Sequence, residues 1–192
     1  MRSLLAAGGV LRAVREARRL GISVSFDCNY RAKLWEAWKG DAPAVLHEII
    51  SEADILFGDH RDIGLVLGQA LTPGRAGAEA AFRAFPNLHR VAHTERVQHS
   101  VRHHELGASM HTPDGETKAA SWTIGDIVDR IGAGDAFAAG LLHALRAGRD
   151  DEASLRFALA AAALKHTIPG DANLAREADI EAALAGARDV RR

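Results

Sequence analysis

The amino-terminal stretch of the chain carries a helical pattern of apolar side chains. Over residues 3–20, Leu11, Val14 and Ala17 recur at every third position, and charged side chains occupy most of the positions between them. This spacing places the apolar side chains on one face of a helix, and Gly21 is suited to end it. We therefore predict an amphipathic helix that buries one side.

The pattern then switches between strand-like and helix-like segments. The run ISVSFD alternates and is β-branched, which is typical of a strand. In chain order, the pattern predicts a strand over 22–27, a helix over 41–52, a strand over 54–57 and a helix near 75–84. Strands that alternate with helices are typical of parallel strands covered by helices, so this part predicts an α/β layered domain.

The segment that follows has a different rhythm. Residues 89–124 contain short alternating stretches interrupted by Pro113, Asp114 and Gly115, which predicts antiparallel hairpins. Helical patterns then return over 133–147, 151–166 and near 176–186.

Composition narrows the class of protein. The 192 residues are 47% hydrophobic and 26% charged, which suits a single globular domain. The 24 basic and 25 acidic side chains leave a net charge of −1, which gives no support for nucleic acid or an anionic membrane as a partner. A single cysteine, Cys28, excludes a disulfide within the chain. No apolar run is long enough for a membrane span and no signal-peptide pattern is present, so we expect a cytoplasmic protein.

The segment DRIGAGDAFAAG, which begins at Asp129, combines small residues with one carboxylate. Gly132, Ala133 and Gly134 allow the backbone to approach a ligand, and the predicted helix start offers N–H groups that attract an anion such as phosphate. Asp135 would repel that phosphate unless it takes a proton from an attacking hydroxyl, as in phosphoryl transfer. The alternative is a tight turn in which Asp135 only caps the helix.

The longer stretch DRIGAGDAFAAGLL resembles the second signature of the ribokinase (PfkB) family of carbohydrate kinases. Arg130 departs from the small residue or proline often found at its position in that signature. The resemblance implies that Asp135 is the catalytic base and that the backbone of Gly132, Ala133 and Gly134 forms the anion hole for the γ-phosphate of ATP. It also implies an α/β fold, a ribokinase-like three-layer sandwich with a mostly parallel central sheet.

The segment FDCNYRAKLW, residues 26–35, is similar to a strand-end motif of the family's 2-keto-3-deoxygluconate kinase branch, in which the arginine contacts the acid sugar. Arg31 occupies that position. From the residues alone, Arg31 lies just beyond the carboxyl end of a strand, where open α/β sheets bind ligands, and its planar guanidinium suits a carboxylate. The alternative is a surface arginine paired with a nearby acid. The resemblance also assigns Asn29 to the ATP site.

The segment ADILFGDHRDIGLVLG, residues 53–68, is similar to the family's strand followed by an Asn-x-x-Glu motif, which helps to organise Mg²⁺ and phosphate through water. Asp59 and Asp62 occupy the matching positions here. Carboxylates are ligands that Mg²⁺ accepts, although Asp59 is equally suited to cap the following helix.

The resemblance reaches two more segments. Thr94 and Arg96 lie where the same branch contacts the nucleotide at a strand-to-hairpin turn. ALKHTIPGD, residues 163–171, is similar to the segment beside nucleotide and sugar, in which Asp171 would contact the hydroxyls of the acid sugar. Without the resemblance, Asp171 is predicted to be a turn residue.

Histidines are frequent in the predicted hairpins. They are His89, His93, His99, His103, His104 and His111. A zinc site needs three or four ligands that converge, whereas alternating strand positions point to opposite faces. We therefore predict exposed hairpin histidines and no zinc site.

The resemblance covers the carboxyl-terminal portion of such a kinase. The family's amino-terminal strands, its glycine-rich sugar-binding signature and its β lid find no match, so we expect a fragment of such a kinase, a sequence with a mispredicted start at Met1, or a truncated descendant. For function, we expect ATP- and Mg²⁺-dependent phosphorylation of a primary hydroxyl of an acid sugar, 2-keto-3-deoxygluconate. One alternative is a kinase for another sugar or a nucleoside. Another is a non-catalytic nucleotide-binding remnant whose uncovered sheet edge pairs with another chain, as in a homo-oligomer.

Overall fold

The structure is a computed structural model that describes residues 2–186, with only the backbone described over 2–6. Its helices are α1 (Arg2–Arg19), α2 (Ala32–Trp38), α3 (Ala42–Ile50), α4 (His60–Leu67), α5 (Arg75–Ala84), α6 (Ala133–Arg146), α7 (Asp151–Lys165) and α8 (Glu177–Leu184). Its strands are β1 (Ser25–Asp27), β2 (Ile55–Phe57), β3 (Arg90–Gln98), β4 (His104–His111) and β5 (Glu116–Ile124).

The strands form one sheet in the order β1-β2-β3-β4-β5. Strands β1, β2 and β3 are parallel, with Phe26 opposite Leu56 and Leu56 opposite Val91. Strands β3, β4 and β5 follow one another through short turns. Connections this short join antiparallel neighbours, because parallel neighbours need a long crossover. The predicted α/β pattern with a hairpin section is therefore confirmed.

By internal contacts, the chain forms two compact units. Unit 1 comprises residues 1–93 and 111–116, and unit 2 comprises residues 94–110 and 117–192. In unit 1, apolar residues of the parallel strands and of α3, α4 and α5 form a buried core. Val14 and Ala17 of α1 pack against this core from its edge, as the helical pattern predicts.

In unit 2, helices α6 and α7 pack closely against each other. A Cβ at Gly140 of α6 would lie 3.0 Å from the Cα of Ala158 and 3.1 Å from the Cβ of Ala161, both on α7. Small side chains on both helices therefore allow this packing. Helix α8 closes the group, because Arg149 lies over the ring of Phe157 at 4.6 Å and forms ion pairs with Glu177 and Glu181.

Acidic side chains begin several helices. Asp41 accepts a hydrogen bond from the N–H of Ala44 at 3.1 Å, and Asp150 accepts one from the N–H of Ala153 at 2.7 Å. Such bonds satisfy N–H groups that have no partner within the helix.

Two local predictions need correction. The strand predicted over 22–27 is shorter, because regular pairing is confined to Ser25–Asp27 and Ile22 is exposed. Helix α2 was not predicted from the pattern. It has only seven residues and none of them is fully buried, so the apolar pattern of Leu34, Trp35 and Trp38 is too short to indicate a helix.

Within the described part of the chain, none of the helices combines the length and the apolar character needed to cross a bilayer.

Candidate active site

Helix α6 begins at the small residues that the sequence singles out. Gly132 precedes the helix with φ 78°, a left-handed conformation that favours glycine, and Asp135 lies in the first turn. The N–H groups of a first helical turn have no partner within the helix and carry partial positive charge. The N–H of Ala133 donates to the carbonyl of Arg130 at 3.3 Å, so this amide is partly engaged in the structure.

The two glycines of this turn differ in their surroundings. A Cβ at Gly132 would overlap the carbonyl oxygen of Asp171, and it would lie 3.4 Å from Cε of Lys165. A Cβ at Gly134 would meet nothing within 4 Å. Gly132 thus serves a close backbone contact, whereas open space lies beside Gly134.

A cavity of about 440 Å³ opens beside the start of α6. Gly132, Asp135 and Asp171 line it together, and both carboxylates are exposed. Apolar residues such as Ala136 and Phe157 form much of the remaining wall, together with the polar side chains of His143, Asn173 and Glu177. A volume of this size suits a small ligand. The structure therefore brings three of the sequence-predicted site residues to one open cavity, and Asp135 does not point into the protein interior.

A larger cavity, of about 1280 Å³, lies elsewhere in unit 2. Residues of β5, α7 and α8 line it, and it includes none of the sequence-predicted site residues.

Asp129, the first residue of the loop that leads into α6, holds this loop through hydrogen bonds from backbone N–H groups. Asp129 accepts hydrogen bonds from the N–H groups of Ile131 and Gly170, each at 2.9 Å. These two bonds lower the pKa of Asp129. The backbone N–H groups of Val128 and Asp129 also donate to the carbonyl of His166, at 2.9 and 3.2 Å. Sequence reasoning noted Asp129 only as part of a signature; its position three residues before Gly132 was the available signal.

Positive charges cluster in unit 2. The rings of His104 and His166 lie 6.4 Å apart, and both residues are buried. Burial lowers the pKa of each, and the nearby charges of Arg96 and Arg130 lower it further. Arg96, which the resemblance assigns to the ATP site, therefore lies close enough to these two histidines for its charge to act on them.

Thr94 and Arg96 are exposed on β3. Between them, Glu95 accepts a hydrogen bond from Ser109 of β4 at 3.0 Å. This cross-strand bond holds the hairpin while its neighbours Thr94 and Arg96 face solvent.

In unit 1, a turn at the end of β1 carries Asn29 and Arg31. The N–H of Asn29 donates to Asp27 at 2.9 Å, and Asn29 adopts φ 36°. Arg31 is exposed, and its Nε donates to the side chain of Asn29 at 3.4 Å. Among the residues that the structure describes, Arg31 forms no ion pair, so the alternative of an arginine paired with a local acid is not what the structure has.

Asp59 and Asp62 form the start of α4. Asp59 accepts from the N–H of Arg61 at 2.7 Å and pairs with its guanidinium, while Asp62 accepts from the N–H of Asp59 at 3.0 Å. Burial raises the pKa of Asp62, whereas the hydrogen bonds from Arg61 outweigh burial and lower the pKa of Asp59. The capping role that the sequence left open for Asp59 is therefore confirmed.

The prediction of exposed hairpin histidines is wrong for three residues, of which His93 is half-buried. His104 and His111 are 0% and 1% exposed. They are seven positions apart and so lie on opposite faces of β4, and both faces of the strand are covered at these positions. His89, His99 and His103 are exposed as expected. Within residues 2–186, no group of three His, Cys, Asp or Glu side chains is arranged to hold a metal ion. Burial raises the pKa of the Cys28 thiol, which keeps it protonated and unreactive.

The two glycines make a matched pair of variants. We predict that Gly132→Ala lowers the free energy of unfolding by about 2 kcal/mol or more, because the methyl group overlaps a carbonyl and the left-handed conformation is strained. Gly134→Ala should leave stability unchanged or raise it by up to about 1 kcal/mol, since alanine is the better helix former. Urea unfolding measures both, and equal stability of Gly132→Ala and the wild type would contradict the close contact.

The buried histidines predict a pH dependence. In the unfolded chain His104 and His166 take up protons near their ordinary pKa of 6.5, whereas in the folded protein their pKa is lowered. The unfolded state therefore binds more protons below that pH, so stability is full above about pH 6.5 and is lost as the pH falls. Thermal unfolding at about pH 7.5 and 5.5 should show this loss, and it should be smaller in His166→Gln. The exposed His103→Gln serves as the control; a His166→Gln variant that matched it would refute the prediction.

Three known proteins resemble the chain over most of its length. The chain is 34% identical over 179 residues to a 2-dehydro-3-deoxygalactonokinase of Haloferax volcanii, which covers 93% of this chain and 51% of that protein. A solved PfkB family carbohydrate kinase of Listeria grayi is 32% identical with a TM-score of 0.86, over 93% of this chain and 55% of that one. A solved 2-dehydro-3-deoxygluconokinase of Thermotoga maritima is 33% identical with a TM-score of 0.79, over 91% of this chain and 54% of that one.

The fold is shared more widely. A ribokinase II of E. coli, solved with ATP and Mg²⁺, is 22% identical with a TM-score of 0.69, over 91% of this chain and 52% of that one. The chain spans about half the length of the relatives it matches. A family model described as pfkB family carbohydrate kinase matches residues 5–178. The α/β fold is thus ribokinase-like, and the chain belongs to the pfkB family of carbohydrate kinases.

Proposed function

We propose that the chain carries the phosphoryl-transfer site of an ATP-dependent sugar kinase whose acceptor is the primary hydroxyl of an acid sugar, 2-keto-3-deoxygluconate, giving its 6-phosphate. The observation that supports this most is the cavity that Gly132, Asp135 and Asp171 share at the start of α6. An exposed carboxylate next to the positive end of a helix brings a proton acceptor beside a site for an anion.

The chemistry assigns one step to Asp135. The sugar hydroxyl oxygen bonds to the γ-phosphorus while its proton passes to the Asp135 carboxylate. The bond between that phosphorus and the bridging oxygen breaks, and ADP leaves with the electron pair. Charge on the transferred group is stabilised by the backbone of Gly132, Ala133 and Gly134 and by the dipole of α6. Ala133 turns its N–H from Arg130 to the phosphate in this proposal.

For the nucleotide, the proposal uses the electropositive part of unit 2. Arg96 and Arg130 lie close enough to two buried histidines to depress their pKa values, so their charges act on the same region. A polyphosphate is attracted to such a region. Thr94 contributes from the same strand as Arg96. Asn29, at the end of β1 in unit 1, is included because the resemblance assigns it to the ATP site.

The acid-sugar part of the proposal rests on Arg31 and Asp171. Arg31 is exposed and forms no ion pair among the described residues, so its guanidinium is available to a carboxylate. The Asp171 carboxylate accepts hydrogen bonds from the hydroxyls of the sugar. The names of the Haloferax volcanii and Thermotoga maritima relatives point to dehydro-deoxy sugars as a substrate class.

Magnesium neutralises charge on the phosphates when it is bound. Asp59 and Asp62 are both engaged in the cap of α4, and Asp59 is paired with Arg61. These residues do not fit direct ligation of Mg²⁺. Any contribution from them is through water, as the resemblance implies, and no proton transfer depends on them.

Replacement of the base gives the main test. Asp135→Asn should lower kcat for phosphorylation of 2-keto-3-deoxygluconate by about 10²-fold or more, because the proton acceptor is lost. The affinity for MgATP should be kept or increased, since a neutral amide no longer repels phosphate. A coupled ADP-release assay and calorimetry measure the two effects.

Asp114→Asn, in an exposed turn, is the matched control and should leave both quantities unchanged. Equal rates for Asp135→Asn and the wild type would refute the role of Asp135. MgATP binding without turnover on any sugar would favour the non-catalytic alternative.

A second substitution tests the sugar. Arg31→Gln should raise KM for the acid sugar by about tenfold or more, because a charged hydrogen bond to a carboxylate is lost, while kcat changes less. Arg12→Gln, on the exposed side of α1, is the control. An unchanged KM would favour the alternative of a neutral sugar or a nucleoside.

A further inference from the structure

Lys165 is a lysine with no exposed surface. It ends α7 and is 0% exposed, although an ammonium group is costly to remove from water. Its Nζ donates to the carbonyl of Ile168 at 2.8 Å. Its Cε lies 3.4 Å from the point where a Cβ on Gly132 would stand. The buried ammonium thus lies between the turn after α7 and the start of α6.

The turn after α7 holds the loop before α6 at several points. The carbonyl of His166 accepts from the N–H groups of Val128 and Asp129, and the N–H of Gly170 donates to the Asp129 carboxylate. The carbonyl of Asp171 lies against Gly132. The bond from Lys165 to Ile168 fixes the middle of this turn.

Charge also favours Lys165 at this place. The C-terminal end of α7 carries partial negative charge, which a lysine in the last turn offsets. The positive charge of Lys165 also stabilises the ionised form of Asp129, whose carboxylate accepts hydrogen bonds from the N–H groups of Ile131 and Gly170. A neutral side chain of the same length would leave these carbonyl and carboxylate groups without a cation.

We propose that Lys165 is a positioning residue for the phosphate site: its buried ammonium holds the 168–171 turn against the Asp129–Gly132 loop and so fixes the amides at the start of α6. The claim that phosphate binds here rests on the proposed function, whereas the claim that Lys165 orders the loop does not. Lys165 acts through Gly132 and Asp129 and touches no reacting atom. Its position at the C-terminus of a helix is typical of an exposed lysine, and this is why the sequence did not single it out.

Amide hydrogen exchange tests the loop without any ligand. In Lys165→Ala, exchange over residues 131–135 should be about tenfold or more faster than in the wild type, because the loop opens more readily. Exchange over 140–146, at the far end of α6, should be unchanged. Lys33→Ala, an exposed lysine of α2, is the matched control and should exchange like the wild type.

Chemical rescue separates charge from packing. We expect Lys165→Ala to bind inorganic tripolyphosphate about tenfold or more weakly than the wild type in calorimetry. Propylammonium, which replaces the lost cation, should restore part of that affinity, and propan-1-ol, which only fills the space, should not. If the two additives behave alike, the proposal is overturned.

If Lys165→Ala does not fold, Asp129→Asn provides a second test. It keeps Lys165 and removes one acceptor oxygen of the half-buried Asp129, so exchange over 131–135 should again rise. Wild-type exchange rates in the folded variants would overturn the proposal. A wild-type protein that binds no tripolyphosphate would instead refute the proposed function, while the exchange data would still decide the role of Lys165.

Discussion

The contact between the backbone of Gly132 and the carbonyl of Asp171 is the constraint on which the candidate site depends. No side chain fits between these two groups, and the conformation at Gly132 is one that favours glycine. The contact brings the start of α6 to the turn after α7, so Asp135 and Asp171 open onto one cavity. Substitution at Gly132 would therefore change the cavity as well as the turn.

Electrostatics explain why this junction suits an anion. The first turn of α6 presents N–H groups, and Lys165, Arg96 and Arg130 add positive charge in the same unit. Two histidines, His104 and His166, are buried beside these cations; burial lowers the pKa of each, and the charges of Arg96 and Arg130 lower it further. The Asp129 carboxylate accepts hydrogen bonds from the backbone N–H groups of Ile131 and Gly170. Asp135, by contrast, is exposed at the helix start, where it can accept a proton.

Much of the fold could be predicted from the sequence, because its signals are local. Helical spacing in α1 and the small residues before Asp135 depend only on neighbours in the chain. Helix α2 was missed because it is only seven residues long and has no fully buried residue, and strand β1 is short because its extent depends on its partner. Burial of His104 and His111 was missed for a similar reason, since the cover over β4 comes from segments distant in the chain.

The site was predicted in part for the same reason. A motif names residues that are close in sequence, so Gly132 and Asp135 were found together. The roles of Lys165 and Asp129 were not found, because the approach of Lys165 to Gly132 and the bond from Gly170 to Asp129 each join segments more than 30 residues apart. Asp59 shows the reverse case: one residue fits both a metal motif and a helix cap, and the hydrogen bonds from Arg61 decide for the cap.

The most direct measurement of the central claim is a titration of the isotopically labelled protein with MgATP, followed by the amide resonances of Ala133, Gly134 and Asp135. If the start of α6 binds the transferred phosphate, these three resonances shift together and saturably, and the amide of Gly115, in a hairpin turn distant in sequence, does not. Saturable shifts elsewhere in the protein, with these three resonances unmoved, would contradict the account.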